Sequence, residues 1–194
     1  MSDETFRFAG PVPVAADEEN ALLRASLAEA QQRIDALELA AEVDPQTGLA
    51  NERRFRRGLE RVVGQAGRHG TQAAVLHIDL RGLGAINDKH GRFAGDAAIV
   101  HVARLLSKLI RATDLLARLD GDRFGLILDH LDHDSAIDTA ERLARCIAAD
   151  PVDLGPALLR IRAAVAATSI LAGDSVEDVL QRAERNLALA KTDV

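Results

Sequence analysis

The chain has no tryptophan, no tyrosine, one methionine and one cysteine in 194 residues, and five phenylalanines supply all of its large aromatic rings. Its core must therefore be aliphatic, drawn from the Leu, Ala, Val and Ile that dominate the 47% apolar fraction. The lone Cys146 cannot form an internal disulfide, and in an apolar helical setting it reads as a small buried hydrophobe rather than a catalytic thiol. A basic excess is also missing. Lys and Arg number 24 against 30 Asp and Glu, a net charge of −6, which argues against a surface that tracks nucleic-acid phosphates. No apolar run approaches the ~20 residues of a membrane-spanning helix, and the N-terminus lacks the basic and hydrophobic regions of a signal peptide. The expectation is a soluble cytoplasmic protein with neither nucleic-acid nor membrane partners.

Residues 1–16, MSDETFRFAGPVPVAA, carry two prolines and no period, and read as a flexible arm. Residues 17–43 are compatible with helix throughout. Leu23, Leu27, Ala30, Ile34, Leu37 and Ala41 alternate steps of four and three, a heptad seam, with Asn20 one step earlier where a polar residue can fix register. About three heptads are marginal alone, so the expectation is a parallel coiled-coil homodimer aided by the domain behind it. That domain is expected to span 44–194.

At DPQTGLANERRF, Asp44-Pro45 and Gly48 break the helix and Asn51 can cap a new one running to about Gly67. The early arginines of that helix, Arg53, Arg54, Arg56 and Arg57, read as a solvated face. QAAVLHID reads as a strand ending at Asp79, GLGAINDKHG as a short helix, and AGDAAIVHVARLLSKLIRAT as an amphipathic helix. Leu115–Leu119 and Phe124–Leu128 are strand-length apolar runs joined by Asp120-Gly121-Asp122-Arg123, turn chemistry for a hairpin. A helix over 135–149 capped by Asp134 or Ser135, a strand over 158–168 and a helix over 176–191 complete the order β, α, α, β, β, α, β, α. One hairpin within two crossover units predicts an α+β fold, a ferredoxin-like antiparallel sheet with helices packed on one face. His130 and His133 cluster with three aspartates, but a solvated loop fits them better than a transition-metal site. His77 and His101 read as packing residues.

Two carboxylates at a hairpin tip can hold a divalent cation, yet Arg123 beside them opposes one. The neighbouring motifs bear on this. DPQTGLANERRF resembles DxLTGLxNRR, IDLRGLGAINDKHGRFAGD resembles IDxDxFKxINDxxGHxxGD, LARLDGDRF stands where ARxGGDEF is expected, and LQRAERNLALAK resembles ADxALYxAK. In order and in register over residues 44–191, these resemble the GGDEF domain of the diguanylate cyclase family, a nucleotide-cyclase palm that condenses two GTP into cyclic di-GMP across a dimer. The resemblance implies metal ligation by Asp79, the Leu80 carbonyl and Asp122, guanine reading by Asn87 and Asp96, and phosphate contact by Lys191. Mg²⁺ would neutralise triphosphate charge and acidify the attacking hydroxyl. An amide and a carboxylate suit the guanine edge.

The departures fall on the chemistry. The signature reads Asp120, Gly121, Asp122, Arg123, Phe124: a carboxylate replaces the first glycine and an arginine the fourth-position acid. Gly84 replaces a phosphate-binding lysine. Loss of a single charge stabiliser commonly costs about two to three orders of magnitude in rate, so no catalytic set is expected intact. The product-binding motif RxxD is retained as RATD, Arg111 to Asp114, five residues before the signature, and AERL places Arg142 where the family carries a helper arginine. An arginine fork suits phosphate or the N7/O6 edge of guanine. The sequence thus points to a catalytically inactive cyclic di-GMP receptor that signals as a dimer to an unknown downstream protein, requiring no cofactor, with Mg²⁺ entering only alongside GTP. The alternatives are a weakly active diguanylate cyclase and a nucleotide-independent interaction module.

Overall fold

The computed structural model describes residues 14–155 and 158–192. These fall into two units, one ending at Ala41 and one beginning at Glu42. The first holds helix α1, Val14–Ala40. Residues 1–13, most of the expected arm, lie outside the described residues. α1 stops short of Val43, which instead forms an antiparallel bridge with Ala50. A residue before proline is disfavoured in helix, so Pro45 sets a limit at Asp44. Leu23, Leu27, Ile34 and Leu37 of the seam are all exposed.

The second unit begins with strand β1 (Ala50–Asn51) and helix α2 (Glu52–His69). Asn51 caps α2 by accepting from Arg54 N at 3.1 Å, and Gly70 ends it at φ 63°. Then follow β2 (Ala73–Arg81), α3 (Leu83–His90), α4 (Arg92–Leu109), β3 (Leu115–Asp120), β4 (Arg123–Asp129) and α5 (His133–Ala149). Asp132, rather than Asp134 or Ser135, caps α5, its Oδ1 accepting from Ser135 N at 2.9 Å. β5 (Val152–Asp153) pairs antiparallel with β6 (Leu158–Leu159), so the strand expected over 158–168 is divided. Its longer part is β7 (Arg162–Ile170), and α6 (Val176–Ala190) closes the chain behind a Ser175–Asp178 capping box.

The architecture is α+β, as the motifs implied, with strands ordered β1-β3-β4-β2-β7. β2 is antiparallel to both neighbours, while β1 runs parallel to β3, so the sheet is mixed. Helices cover both faces, not one. The reason lies in β2, AAVLHIDL, which is buried from Ala73 to Leu80 rather than alternating; a strand apolar on both sides needs cover on both. Leu76, Ile78 and Leu80 pack with Val102 and Leu106 of α4 and Leu143 and Ile147 of α5. Val75 joins Phe55, Leu59 and Val62 of α2 and Val179 of α6 on the opposite side. Each fully buried leucine or isoleucine contributes about 1.5–3 kcal/mol. Two consequences position the site: the C-terminal end of β2, the β3–β4 turn and the end of α6 meet at one edge, while the end of α4 meets α5 elsewhere.

Candidate functional site

The hairpin turns through Gly121 and Asp122, with Gly121 at φ 34°, a positive value that favours glycine. Ladder register sets Arg123 directly across from Asp79, and Leu80 N donates to the Asp122 carbonyl at 3.0 Å. The structure therefore brings Asp79, Leu80 and Asp122 together. It also brings cations. Lys191 Nζ donates to Asp79 Oδ2 at 2.5 Å, and Arg81 Nη1 lies 3.6 Å from Asp79 Oδ1 while its Nη2 donates to the Lys191 carbonyl at 3.1 Å. Lys191, expected on phosphate, thus sits on the metal carboxylate.

Arg123 grips two further acids, Asp120 and Glu184. Its Nε donates to Asp120 Oδ1 at 2.8 Å, its Nη2 to Asp120 Oδ2, and its Nη1 to Glu184 Oε1 at 3.1 Å. The Arg123 hydrogen bonds hold the Asp120 carboxyl below its ordinary range, against partial desolvation, and Asp120 in turn pushes the guanidinium up. A hard divalent cation wants several oxygen ligands. Among the described residues no group of three or more His, Cys, Asp or Glu could hold a metal, and the Asp79 carboxylate already faces two cations. An ion bound at Asp79 would have to displace Lys191 and Arg81 from its carboxylate. At Gly84 an added Cβ would meet nothing within 4 Å, so packing does not enforce the missing lysine.

The guanine-reading pair lies at the α3–α4 junction. A Cβ on Gly95 would fall 2.0 Å from Asn87 Oδ1, so the Asn87 amide lies directly over Gly95, the residue before Asp96. Asp96 Oδ1 accepts from Gln46 Nε2 at 2.9 Å. Gln46 Oε1 accepts from Arg118 Nη1 at 2.6 Å, and Arg118 also donates to the Gly121 carbonyl from Nε at 3.0 Å and Nη2 at 2.8 Å. Arg118 reaches Asp44 as well, at 3.3 Å. Desolvation opposes ionisation of Asp44, but hydrogen bonds from Thr47 and the Arg118 charge outweigh it and hold that carboxyl low.

Arg111, Asp114 and Arg142 line one open pocket of about 70 Å³, together with Leu128, Leu131 and Thr139. Asp114 Oδ2 accepts from Arg111 N at 2.9 Å and Asp114 N donates to the Arg111 carbonyl at 3.1 Å, so RATD is a closed turn between α4 and β3. The Arg111 guanidinium has no partner among the described residues. Among the described residues Arg142 is tethered only by a 3.5 Å bond from Nη2 to the Leu109 carbonyl.

Three participants escaped the sequence reading. Arg81 stands at the second acid of IDxDxFK, a departure visible in the motif itself. Gln46 stands at the leucine of DxLTGL, equally visible. Glu184 on α6 had no signal, because its partners are 61 residues and more away. Of the histidines, His77 is buried, 3% exposed, with its Nε2 unpartnered and its Nδ1 3.8 Å from Glu184. His101 pairs with Asp150 at 3.1 Å, and His133 Nδ1 lies 2.8 Å from Ser169 Oγ. Cys146 is partly buried. Among the described residues no helix is long and apolar enough to cross a membrane.

Known proteins agree with these motifs. The family model described as diguanylate cyclase, GGDEF domain, matches residues 41–194. The bifunctional diguanylate cyclase/cyclic di-GMP phosphodiesterase MucR of Pseudomonas aeruginosa is 34% identical over 144 residues, 74% of this chain and 20% of that protein. The diguanylate cyclase DgcM of Escherichia coli is 27% identical over 186 residues, 96% and 45% respectively. The chain thus spans less than half the length of these curated relatives. In fold, it resembles the coiled coil and GGDEF domain of DgcB from Caulobacter crescentus, solved with c-di-GMP, with a TM-score of 0.77 at 20% identity over 94% of this chain and 96% of that one. Diguanylate cyclase SiaD of P. aeruginosa, solved with its activator SiaC, gives 0.75 at 26% identity over 93% and 73%. Because four motifs, the hairpin they frame and a match over the whole second unit coincide, the chain belongs to the diguanylate cyclase family as a GGDEF domain.

Proposed function

We propose that this GGDEF domain is a catalytically silent cyclic di-GMP receptor that binds the dinucleotide at Arg111, Asp114 and Arg142 and passes the signal, as an α1-mediated homodimer, to a protein partner. The observation that carries the reading is the contrast between two sites. At the hairpin, Lys191 and Arg81 hold Asp79, and Arg123 holds Asp120 and Glu184. At the α4–α5 pocket, two arginines and a carboxylate surround open space, and the Arg111 guanidinium has no partner among the described residues.

The chemistry follows from that geometry. Asp114, by closing the RATD turn, fixes the backbone from which Arg111 projects. Arg111 offers a planar fork to a phosphate or to guanine N7 and O6, and Arg142 can leave its long bond to Leu109 to clamp the other side. Asp114 Oδ1 remains to accept from guanine N1 and N2. A pocket of about 70 Å³, open to solvent, admits only part of the ligand, such as a phosphate, with the rest outside. The exposed Leu23, Leu27, Ile34 and Leu37 supply the dimer seam. The relatives lend support in their own names: DgcB was solved with c-di-GMP and a coiled coil, and SiaD with an activator protein.

Calorimetric titration with cyclic di-GMP tests the reading. Arg111→Ala removes a charged fork, worth about 1–3 kcal/mol or one to two decades in affinity, Arg142→Ala does less, and Asp79→Ala changes little. No heat from the wild type at about 100 μM ligand overturns it in favour of a nucleotide-independent module. Steady cyclic di-GMP formation from GTP, lost on Asp79→Ala, would instead establish a weak cyclase.

A further inference from the structure

We propose that Gln46 is a built-in occupant of the guanine-reading carboxylate, and that it sets how tightly this domain takes a guanine nucleotide. The inference rests on the reading that Asn87 and Asp96 face guanine, and is independent of the Arg111 pocket.

The amide is placed by three fixed points. Asp44 closes its own turn, accepting from Thr47 N at 2.8 Å and Thr47 Oγ1 at 2.6 Å, so the backbone of Gln46 is set. Arg118, 12% exposed and anchored on the Gly121 carbonyl, donates to Gln46 Oε1 at 2.6 Å. An oxygen facing a guanidinium leaves the NH₂ facing the other way, and there it donates to Asp96 Oδ1 at 2.9 Å. A carboxamide NH₂ on a carboxylate offers what guanine N1–H and N2–H₂ would offer: a neutral, planar donor. The leucine of the DxLTGL pattern has no donor for this purpose. Guanine reaching Asp96 with both donors must therefore displace Gln46 or share Oδ1 with it. Because Arg118 links Gln46 to the carbonyl of the signature turn, the same displacement loosens Gly121.

The test is equilibrium binding of a fluorescently labelled GTP to the full chain, followed by anisotropy, with labelled ATP as comparison because adenine lacks the N1–H and N2 donors. Gln46→Leu and Gln46→Met both delete the competing donor at similar volume, and thermal melting confirms each is folded. Both should tighten GTP binding about ten- to 150-fold, the span of roughly one hydrogen bond to a charged group, leave ATP unchanged, and lose the gain when Asp96→Asn is added. Equal or weaker GTP affinity in both variants overturns the proposal, as does a gain that survives Asp96→Asn or extends equally to ATP. Failure of every variant to bind GTP overturns it too, since Gln46 would then not be what limits the site. The underlying guanine reading fails separately, if Asp96→Asn alone leaves wild-type GTP binding intact.

Discussion

Replacing Arg123 by the glutamate that the family signature carries should weaken this protein rather than repair it. Arg123 makes two ion pairs, with Asp120 and Glu184, and faces Asp79 across the ladder. Its side chain is 34% exposed and both partners 53%, so each pair is worth only about 0.2–1 kcal/mol. Glutamate removes both pairs and places a fourth negative charge among Asp79, Asp120 and Glu184, bringing the total loss to about 1–3 kcal/mol. For a chain of this size that lowers the melting temperature by roughly 3–9 °C. Arg123→Gln, which removes the pairs without adding repulsion, should fall between the two. Circular dichroism melts at low salt and at about 1 M NaCl, where the screening length shrinks to about 3 Å, separate the contributions: the gap between the Glu and Gln variants should narrow with salt. Magnesium at about 10 mM should leave the wild type where matched NaCl leaves it, since a bound ion would stabilise by mass action. A glutamate variant as stable as the wild type at low salt would refute the view that Arg123 neutralises a carboxylate rim.

Two further tests address the buried histidine and the helix. Burial depresses the His77 pKa below 6.5, with Glu184 opposing and Arg123 assisting that shift. The unfolded chain then takes the proton first: stability is full above pH 6.5, and is lost as pH falls through the lower folded value, by at most ~1.4 kcal/mol per pH unit. Urea unfolding between pH 7 and 5 should show this slope, and His77→Leu should flatten it; an unchanged slope in the variant removes His77 as the cause. Light scattering on the full chain at about 50 μM should give twice the monomer mass, and Leu27→Asp with Ile34→Asp should return it to the monomer value of 20.8 kDa. A monomeric wild type would end the dimer proposal.

Local signals were legible in the sequence wherever neighbours along the chain do the work. Asn51 caps α2 as its side-chain type and position implied, and the hairpin turns at Gly121-Asp122 because short apolar runs flank residues that favour a turn. The motif spacing put Asp79 near the end of β2, Asp122 in the hairpin turn, Asn87 within α3 and Asp96 early in α4, because such spacing counts residues within single strands, turns and helices. What required tertiary structure is what joins distant residues. β1 and β5, at two residues each, are too short to carry a period and exist only because β3 and β6 pair with them. The second helical layer followed from β2 being apolar on both sides, which composition allows but does not assign to partners. Lys191 on Asp79 closes a gap of 112 residues, and Gln46 on Asp96 one of 50. Such pairings depend on charge and hydrogen-bond capacity that many side chains share, so no local pattern singles out one partner. Arg111 and Arg142 could be named from spacing, but only the packing of α5 beside the end of α4 puts both guanidinium groups on one cavity.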